Sequence, residues 1–140
     1  MKGALLLLAA GALLSLLVFR GVAPSQLLAA LEMQAVVHSW DAETARARLG
    51  DELLVVDGRG GGAGAGPKDA FPVPFEERND EVFVMPEGRQ IRAALVVMEA
   101  GRAREARELA QWLAREWALE EVATLQGGIE AWQAAGLPSR

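Results

Sequence analysis

The stretch that decides the fold is residues 93–138, AALVVMEAGRAREARELAQWLAREWALEEVATLQGGIEAWQAAGLP. Ala93–Met98 is a short apolar run, typical of a strand that is covered on both faces. Arg102–Trp117 carries apolar residues at helical spacing and predicts a strongly amphipathic helix. Glu121–Leu125 predicts a further strand. Because strand and helix alternate along this stretch, the pattern favours a parallel sheet flanked by helices.

The flanking sequence continues the same alternation. Gly127-Gly128 predicts a tight turn into a last short helix that carries Ile129 and Trp132. Upstream, Leu53–Val56 is a second all-apolar run and predicts another buried strand. Asp41 has the right residue type to cap a short helix over Ala42–Leu49. We therefore assign residues 37–140 to one small α/β domain.

The amino-terminal residues predict a membrane anchor. Between Lys2 and Arg20, the run Gly3–Phe19 contains only Ser15 as a polar residue, and as a helix it would span roughly 26 Å, close to the hydrocarbon thickness of a bilayer. A cleaved signal peptide is the alternative, but the run is long for a signal core. We expect an uncleaved transmembrane anchor over residues 1–20, with the domain on the periplasmic or extracytoplasmic side. Residues 21–36 would form a juxtamembrane connector helix.

Composition excludes several kinds of chemistry. The chain has no cysteine, so disulfides, thiolate metal sites and cysteine nucleophiles are impossible. His38 is the single histidine, so no multi-histidine metal site can form within one chain. The net charge of −5 disfavours nucleic acid as a partner. We expect no cofactor and no metal.

The residues of the domain resemble a known family. The ending Gly-Gly-Ile-x-Ala-Trp-x-x-Ala-Gly-Leu-Pro, residues 127–138, together with the strand Leu95–Met98, is similar to the rhodanese-like domain. Val55-Val56-Asp57-x-Arg59 resembles that family's first core strand and the turn after it. The resemblance is strong in the last fifty residues and thin between Gly60 and Ile91, where the family's usual helix signal is missing.

The resemblance implies where the active site should lie. In the rhodanese family a cysteine follows this strand and begins a loop whose backbone N–H groups stabilise a thiolate and its persulfide. Glu99 occupies the matching position here, and the degenerate loop continues as Ala100, Gly101, Arg102, Ala103 and Arg104. Glu99 could accept hydrogen bonds from the loop amides, could be merely solvated, or could act as a general base. No second catalytic group is evident in the sequence.

Three residues near this loop are candidate contacts for an anion or a partner: Arg102, Arg104 and Trp112. Guanidinium groups bind carboxylates and other anions well, although a solvated helix face with pairs such as Arg104–Glu108 is the plainer interpretation. Trp112 lies beside the apolar stripe of its helix, which could mark a contact surface. The glycine-rich run Gly58–Gly66 lacks the elements of a phosphate-binding loop and is interpreted as a flexible surface loop.

These observations favour a membrane-anchored, catalytically inactive rhodanese-like domain that acts as a binding or structural module. We expect residues 3–19 to contact the lipid bilayer and a membrane protein to be the partner, as for an accessory subunit of a complex. The alternative is a sensor or enzyme that binds a small anion in the remodelled loop.

Overall fold

A computed structural model describes residues 35–61 and 63–140. Their elements follow the order β1 (Val37–Trp40), α1 (Ala42–Arg48), β2 (Leu53–Asp57), β3 (Phe71–Pro72), β4 (Ala93–Val97), α2 (Ala103–Glu116), β5 (Glu121–Leu125) and α3 (Gly128–Ala134). Single 3₁₀ turns cover Phe75–Glu77 and Ala100–Arg102. The five strands form one parallel sheet in the order β1-β5-β4-β2-β3. The predicted class, a small parallel sheet flanked by helices, is confirmed.

The apolar runs form the three central strands because both faces of the sheet are covered. Residues of β2 and β4 are buried throughout, and alternate side chains point to opposite faces. One face packs against α1 and α3, where Ala45, Ile129 and Trp132 are buried. The other face packs against the apolar stripe of α2, which consists of Ala106, Leu109, Ala110 and Leu113. The domain is therefore a three-layer α/β/α arrangement.

The predicted helices are found close to their expected bounds. Asp41 caps α1, where its carboxylate accepts a hydrogen bond from the Thr44 N–H at 2.8 Å. That bond lowers the pKa of Asp41. The long amphipathic helix begins one residue later and ends one residue earlier than the predicted Arg102–Trp117.

Two strands at the edges of the sheet were not predicted. β1 pairs with β5, and the two-residue β3 pairs with β2. Between β3 and β4 the described residues contain a 3₁₀ turn and irregular chain, with no α-helix. This agrees with the missing helix signal in that part of the sequence.

The predicted anchor over residues 1–20 lies outside the described residues. So does most of the predicted connector over residues 21–36, whose last two residues, Ala35 and Val36, are not helical. No helix in the described part of the chain has the length and apolar character to cross a bilayer.

Candidate functional site

The candidate site is the loop that follows β4, at the carboxyl edge of the parallel sheet. Loops at this edge carry the binding sites of many open α/β folds, because the helices that follow the strands begin there. β4 ends at Val97, Met98 is buried, and Glu99 leads into the 3₁₀ turn Ala100–Arg102 and then α2. The residue predicted at the family's cysteine position therefore stands at the start of this loop.

The start of α3 is in direct backbone contact with the loop after β4. The Ile129 N–H donates to the Met98 carbonyl at 2.7 Å. A Cβ atom on Gly128 would lie 2.1 Å from that same carbonyl oxygen, and the Gly128 φ is +58°. Only glycine fits a position that combines a left-handed backbone with so close an approach. The Gly-Gly pair thus brings α3 against the loop after β4.

A glutamate does accept a hydrogen bond from the loop, but it is not Glu99. The Ala100 N–H donates to Oε2 of Glu130 on α3, at 2.9 Å. The Glu99 side chain makes no such bond to the turn, and its Oε2 is buried without a hydrogen-bond partner among the described residues. The Arg102 N–H is used within the turn, where it donates to the Glu99 carbonyl at 3.0 Å. The interpretation that Glu99 satisfies the loop amides gives way to one in which Glu130 does so.

Arg102 is bound to a carboxylate of its own chain. Its guanidinium donates to Glu76 with an N–O distance of 2.6 Å and lies 5.5 Å from the Phe75 ring centroid. The hydrogen bond to Arg102 lowers the pKa of Glu76, and the same bond raises the pKa of Arg102. The Arg102 guanidinium is therefore already paired with the Glu76 carboxylate of the 3₁₀ turn at Phe75–Glu77.

Arg104 and Trp112 lie apart from this contact. The Arg104 side chain is 88% exposed and pairs with Glu108 at 3.2 Å, as expected for neighbours on one helix. Trp112 is half-buried and packs edge-to-face on Phe83, with 6.3 Å between the ring centroids. The three candidate contact residues therefore do not converge on one pocket.

The loop after β2 holds a buried ion pair that the sequence analysis did not predict. Asp57 and Arg59 are both buried, and two guanidinium nitrogens of Arg59 donate to the Asp57 carboxylate at 2.9 and 3.0 Å. Arg59 also donates to the carbonyls of Ala63 and Ala65, so the glycine-rich loop closes around its side chain. The hydrogen bond to Asp57 raises the pKa of Arg59. The Asp-x-Arg spacing after a buried strand was the available signal.

The described residues offer no metal site. No three carboxylate or imidazole groups among residues 35–61 and 63–140 are grouped so that they could hold an ion. His38 is exposed on the edge strand β1, away from the loop after β4.

Comparisons with known proteins agree with this architecture. No protein-family model matches the sequence, and neither does any curated protein. A rhodanese-related protein from Thermoplasma volcanium matches the structure with a TM-score of 0.58 at 16% identity, over 74% of this chain and 97% of that one. A rhodanese homolog from the extremely thermophilic bacterium Thermus thermophilus matches with a TM-score of 0.53 at 29% identity, over 67% of this chain and 99% of that one. The described part of the chain therefore has a rhodanese-like fold.

Proposed function

We propose that this chain is a membrane-anchored, catalytically inactive rhodanese-like domain that serves as a binding or structural module, as an accessory subunit of a membrane protein complex. The observation that carries the proposal is that glutamate side chains of the chain itself occupy the loop after β4. Glu99 stands at the position that resembles the family's cysteine, and the Glu130 carboxylate accepts the Ala100 N–H at 2.9 Å.

The chemistry of the loop argues against sulfur transfer. That reaction needs a thiolate that attacks the donor and carries the sulfane sulfur as a persulfide. No thiol exists anywhere in the chain, and a carboxylate cannot hold sulfane sulfur. Glu99 and Glu130 also place two carboxylates at the loop, where an anionic donor such as thiosulfate would be repelled.

Two carboxylates, Glu130 and Glu76, weigh against the alternative of a small-anion sensor. An anion would have to compete with Glu130 for the Ala100 N–H. It would also have to compete with Glu76 for Arg102, whose side chain is only 29% exposed. A binding or structural role does not require the Ala100 N–H or the Arg102 guanidinium to be free.

The membrane part of the proposal is supported by the sequence of residues 1–20. The uncharged run Gly3–Phe19 is long enough for one span. Fractionation of cell membranes with alkaline carbonate tests it: the full chain should stay with the pellet, and a variant without residues 1–20 should be released. Protease added to spheroplasts, in which the inner membrane is intact and its periplasmic side is accessible, should digest a domain that faces the periplasm.

A thiosulfate–cyanide assay on the full chain in mild detergent tests catalytic inactivity. We expect thiocyanate to form no faster than in buffer, while a purified active rhodanese in the same detergent turns over. Glu99→Ala is the matched variant. Turnover of the unaltered chain at enzyme-like rates that Glu99→Ala abolishes would refute the proposal.

A further inference from the structure

The segment Val82–Met85 has the side-chain pattern of a strand without belonging to the sheet. Val82 is 91% exposed and Val84 is 67% exposed, whereas Phe83 and Met85 are half-buried and pack on the core cluster beneath α2. Residues 82–86 contain no helix, turn or bend. Alternation with a period of two, in a run rich in valine and phenylalanine, is the pattern of an extended strand.

The backbone of this segment is largely unpaired within the described part of the chain. Its one hydrogen bond there is accepted by the Phe83 carbonyl from the Trp117 indole N–H, at 3.0 Å. Successive residues of an extended chain direct their N–H and C=O groups to opposite edges. In the extended backbone that the exposure pattern indicates, a Phe83 carbonyl that faces Trp117 implies that the backbone groups of Val82 and Val84 lie at the opposite edge. Unpaired groups along such an edge are a template for pairing with another strand.

Aromatic contacts hold the segment in place. Phe83 packs edge-to-face on Trp112, and Trp117 in turn packs edge-to-face on Phe71 of β3, with 5.7 Å between the ring centroids. The segment is thus fixed on the domain by side chains rather than by a hydrogen-bonded ladder. An edge that is already positioned loses less conformational entropy when a partner pairs with it.

Exposed carboxylates flank the two valines. Glu77, Asp80 and Glu81 precede them and Glu87 follows, all of them exposed and without an ion pair among the described residues. Arg78 and Arg89 lie in the same stretch, so residues 77–89 carry a net charge of −2. Arg78 donates to the Phe75 carbonyl, and Arg89 donates to carbonyls of residues 50, 51 and 53. The net negative charge of residues 77–89 would repel a second copy of the chain and an anionic lipid surface alike, and it would attract a basic partner.

We propose that Val82–Met85 is a binding edge that pairs with an extended segment of a partner protein, in which β-branched residues are flanked by Lys or Arg. Backbone hydrogen bonds to the open edge would give affinity, and contacts with Val82 and Val84 would fix the register. The inference rests on the proposed function as a binding module and names the surface and the partner chemistry.

Binding of a defined peptide to the full chain in dodecyl maltoside micelles tests the inference. The probe is a fluorescent peptide of sequence KKVTVTVKK, followed by anisotropy, with amide exchange of residues 82–85 measured by mass spectrometry. We expect saturable binding and slower exchange of these amides. The charge-reversed peptide EEVTVTVEE and a KKVTVTVKK peptide methylated at alternate backbone nitrogens should each bind at least roughly tenfold more weakly.

Two variants distinguish binding at the Val82–Met85 edge from nonspecific binding of the peptide. Val84→Lys places a charge on the edge and should weaken binding of KKVTVTVKK by roughly tenfold. Val36→Lys alters another exposed valine, 74% exposed and outside the segment, and should leave binding unchanged. Equal effects of the two variants would overturn the inference.

Other occupants would give different results. A concentration-dependent dimer in sedimentation that Val84→Lys abolishes would assign the edge to a second copy. Protection of residues 82–85 on transfer to anionic vesicles, without peptide, would assign it to lipid. Either result, or failure of KKVTVTVKK to bind, overturns this inference. The thiosulfate–cyanide assay and the membrane fractionation do not depend on these outcomes, and they test separately the inactivity and the anchoring in the proposed function.

Discussion

The two loops that leave the carboxyl ends of β2 and β4 begin alike and are stabilised differently. Both follow five-residue strands that are buried throughout and paired in register. The loop after β2 closes around the buried pair Asp57–Arg59. The loop after β4 is bound at its rim by Glu130 and Glu76, which are exposed carboxylates from other parts of the chain.

The difference separates a loop that supports the fold from a loop whose sequence resembles the rhodanese active-site loop. A buried ion pair is costly to break because the remaining charge has neither water nor a partner. Contacts at an exposed rim cost little to break because water replaces them. The loop after β2 should therefore govern stability, whereas the loop after β4 can change its residues at small cost.

Arg59→Met should have the largest effect, because it leaves the Asp57 carboxylate buried without its main partner. We expect a loss of about 3 kcal/mol in the free energy of unfolding, limited by Arg140, whose guanidinium lies 3.5 Å from Asp57. Thermal unfolding of the full chain in detergent, followed by circular dichroism, measures it. Arg104→Met is the matched control on an exposed arginine and should change stability by less than about 0.5 kcal/mol. Equal losses would show that the pair does not hold the loop.

Gly128→Ala should have the next largest effect, at the contact between α3 and the loop after β4. The added methyl meets the Met98 carbonyl and the residue must keep a positive φ, which together cost about 2–3 kcal/mol. Gly136→Ala isolates the backbone contribution, since Gly136 has a φ of +67° and no atom within 4 Å of an added Cβ. The same unfolding measurement compares them. A loss no greater at Gly128 than at Gly136 would mean that α3 does not press on the loop.

Glu130→Ala should have a smaller effect, since it removes only the acceptor for the Ala100 N–H. We expect a loss of about 1 kcal/mol and faster amide exchange at Ala100, measured by NMR on the full chain. Glu99→Ala is the control: it removes a carboxylate oxygen that is buried without a partner among the described residues and should cost no stability. A larger loss of stability in Glu99→Ala than in Glu130→Ala would show that Glu99 is the acceptor for the Ala100 N–H.

Acid should release the contact between Arg102 and Glu76. The pKa of Glu76 is lowered from its ordinary value of 4.5 by the hydrogen bond from Arg102, so the contact is complete above pH 4.5 and is lost as the pH falls through the lower, folded-state pKa. NMR titration of the Glu76 carboxyl and the Arg102 side chain follows it. In Glu76→Gln the Arg102 signal should no longer change in this range. Titration of Glu76 at or above 4.5 would contradict the contact.

Much of the fold could be predicted because its signals are local. An unbroken apolar run such as Leu53–Val56 indicates a strand covered on both faces, and the stripe of α2 indicates which face packs. The edge strands β1 and β3 escaped prediction because they are short, and β1 has only one buried residue. Their pairing depends on which strands they meet, which the local composition does not encode.

The place of Glu99 in the fold could be predicted from the sequence, but the contacts around it could not. The apolar run Ala93–Met98 predicted a strand that ends just before Glu99, and β4 does end at Val97. Glu130 could not be chosen from the sequence, since its carboxylate reaches Ala100 only because Gly128 lets α3 approach. Trp112 looked like a surface residue on its helix, but the segment around Phe83 lies against it.

The sequence by itself determined that no thiol chemistry is possible, because a reaction needs its atoms and the chain contains no cysteine. It also determined the alternation of strand and helix, because backbone geometry and burial set the spacing of apolar residues along each element. Only the tertiary structure decided which charges meet. The pairs Asp57–Arg59, Arg102–Glu76 and Ala100–Glu130 depend on turns and approaches of a few ångströms, since hydrogen bonds act only at that range.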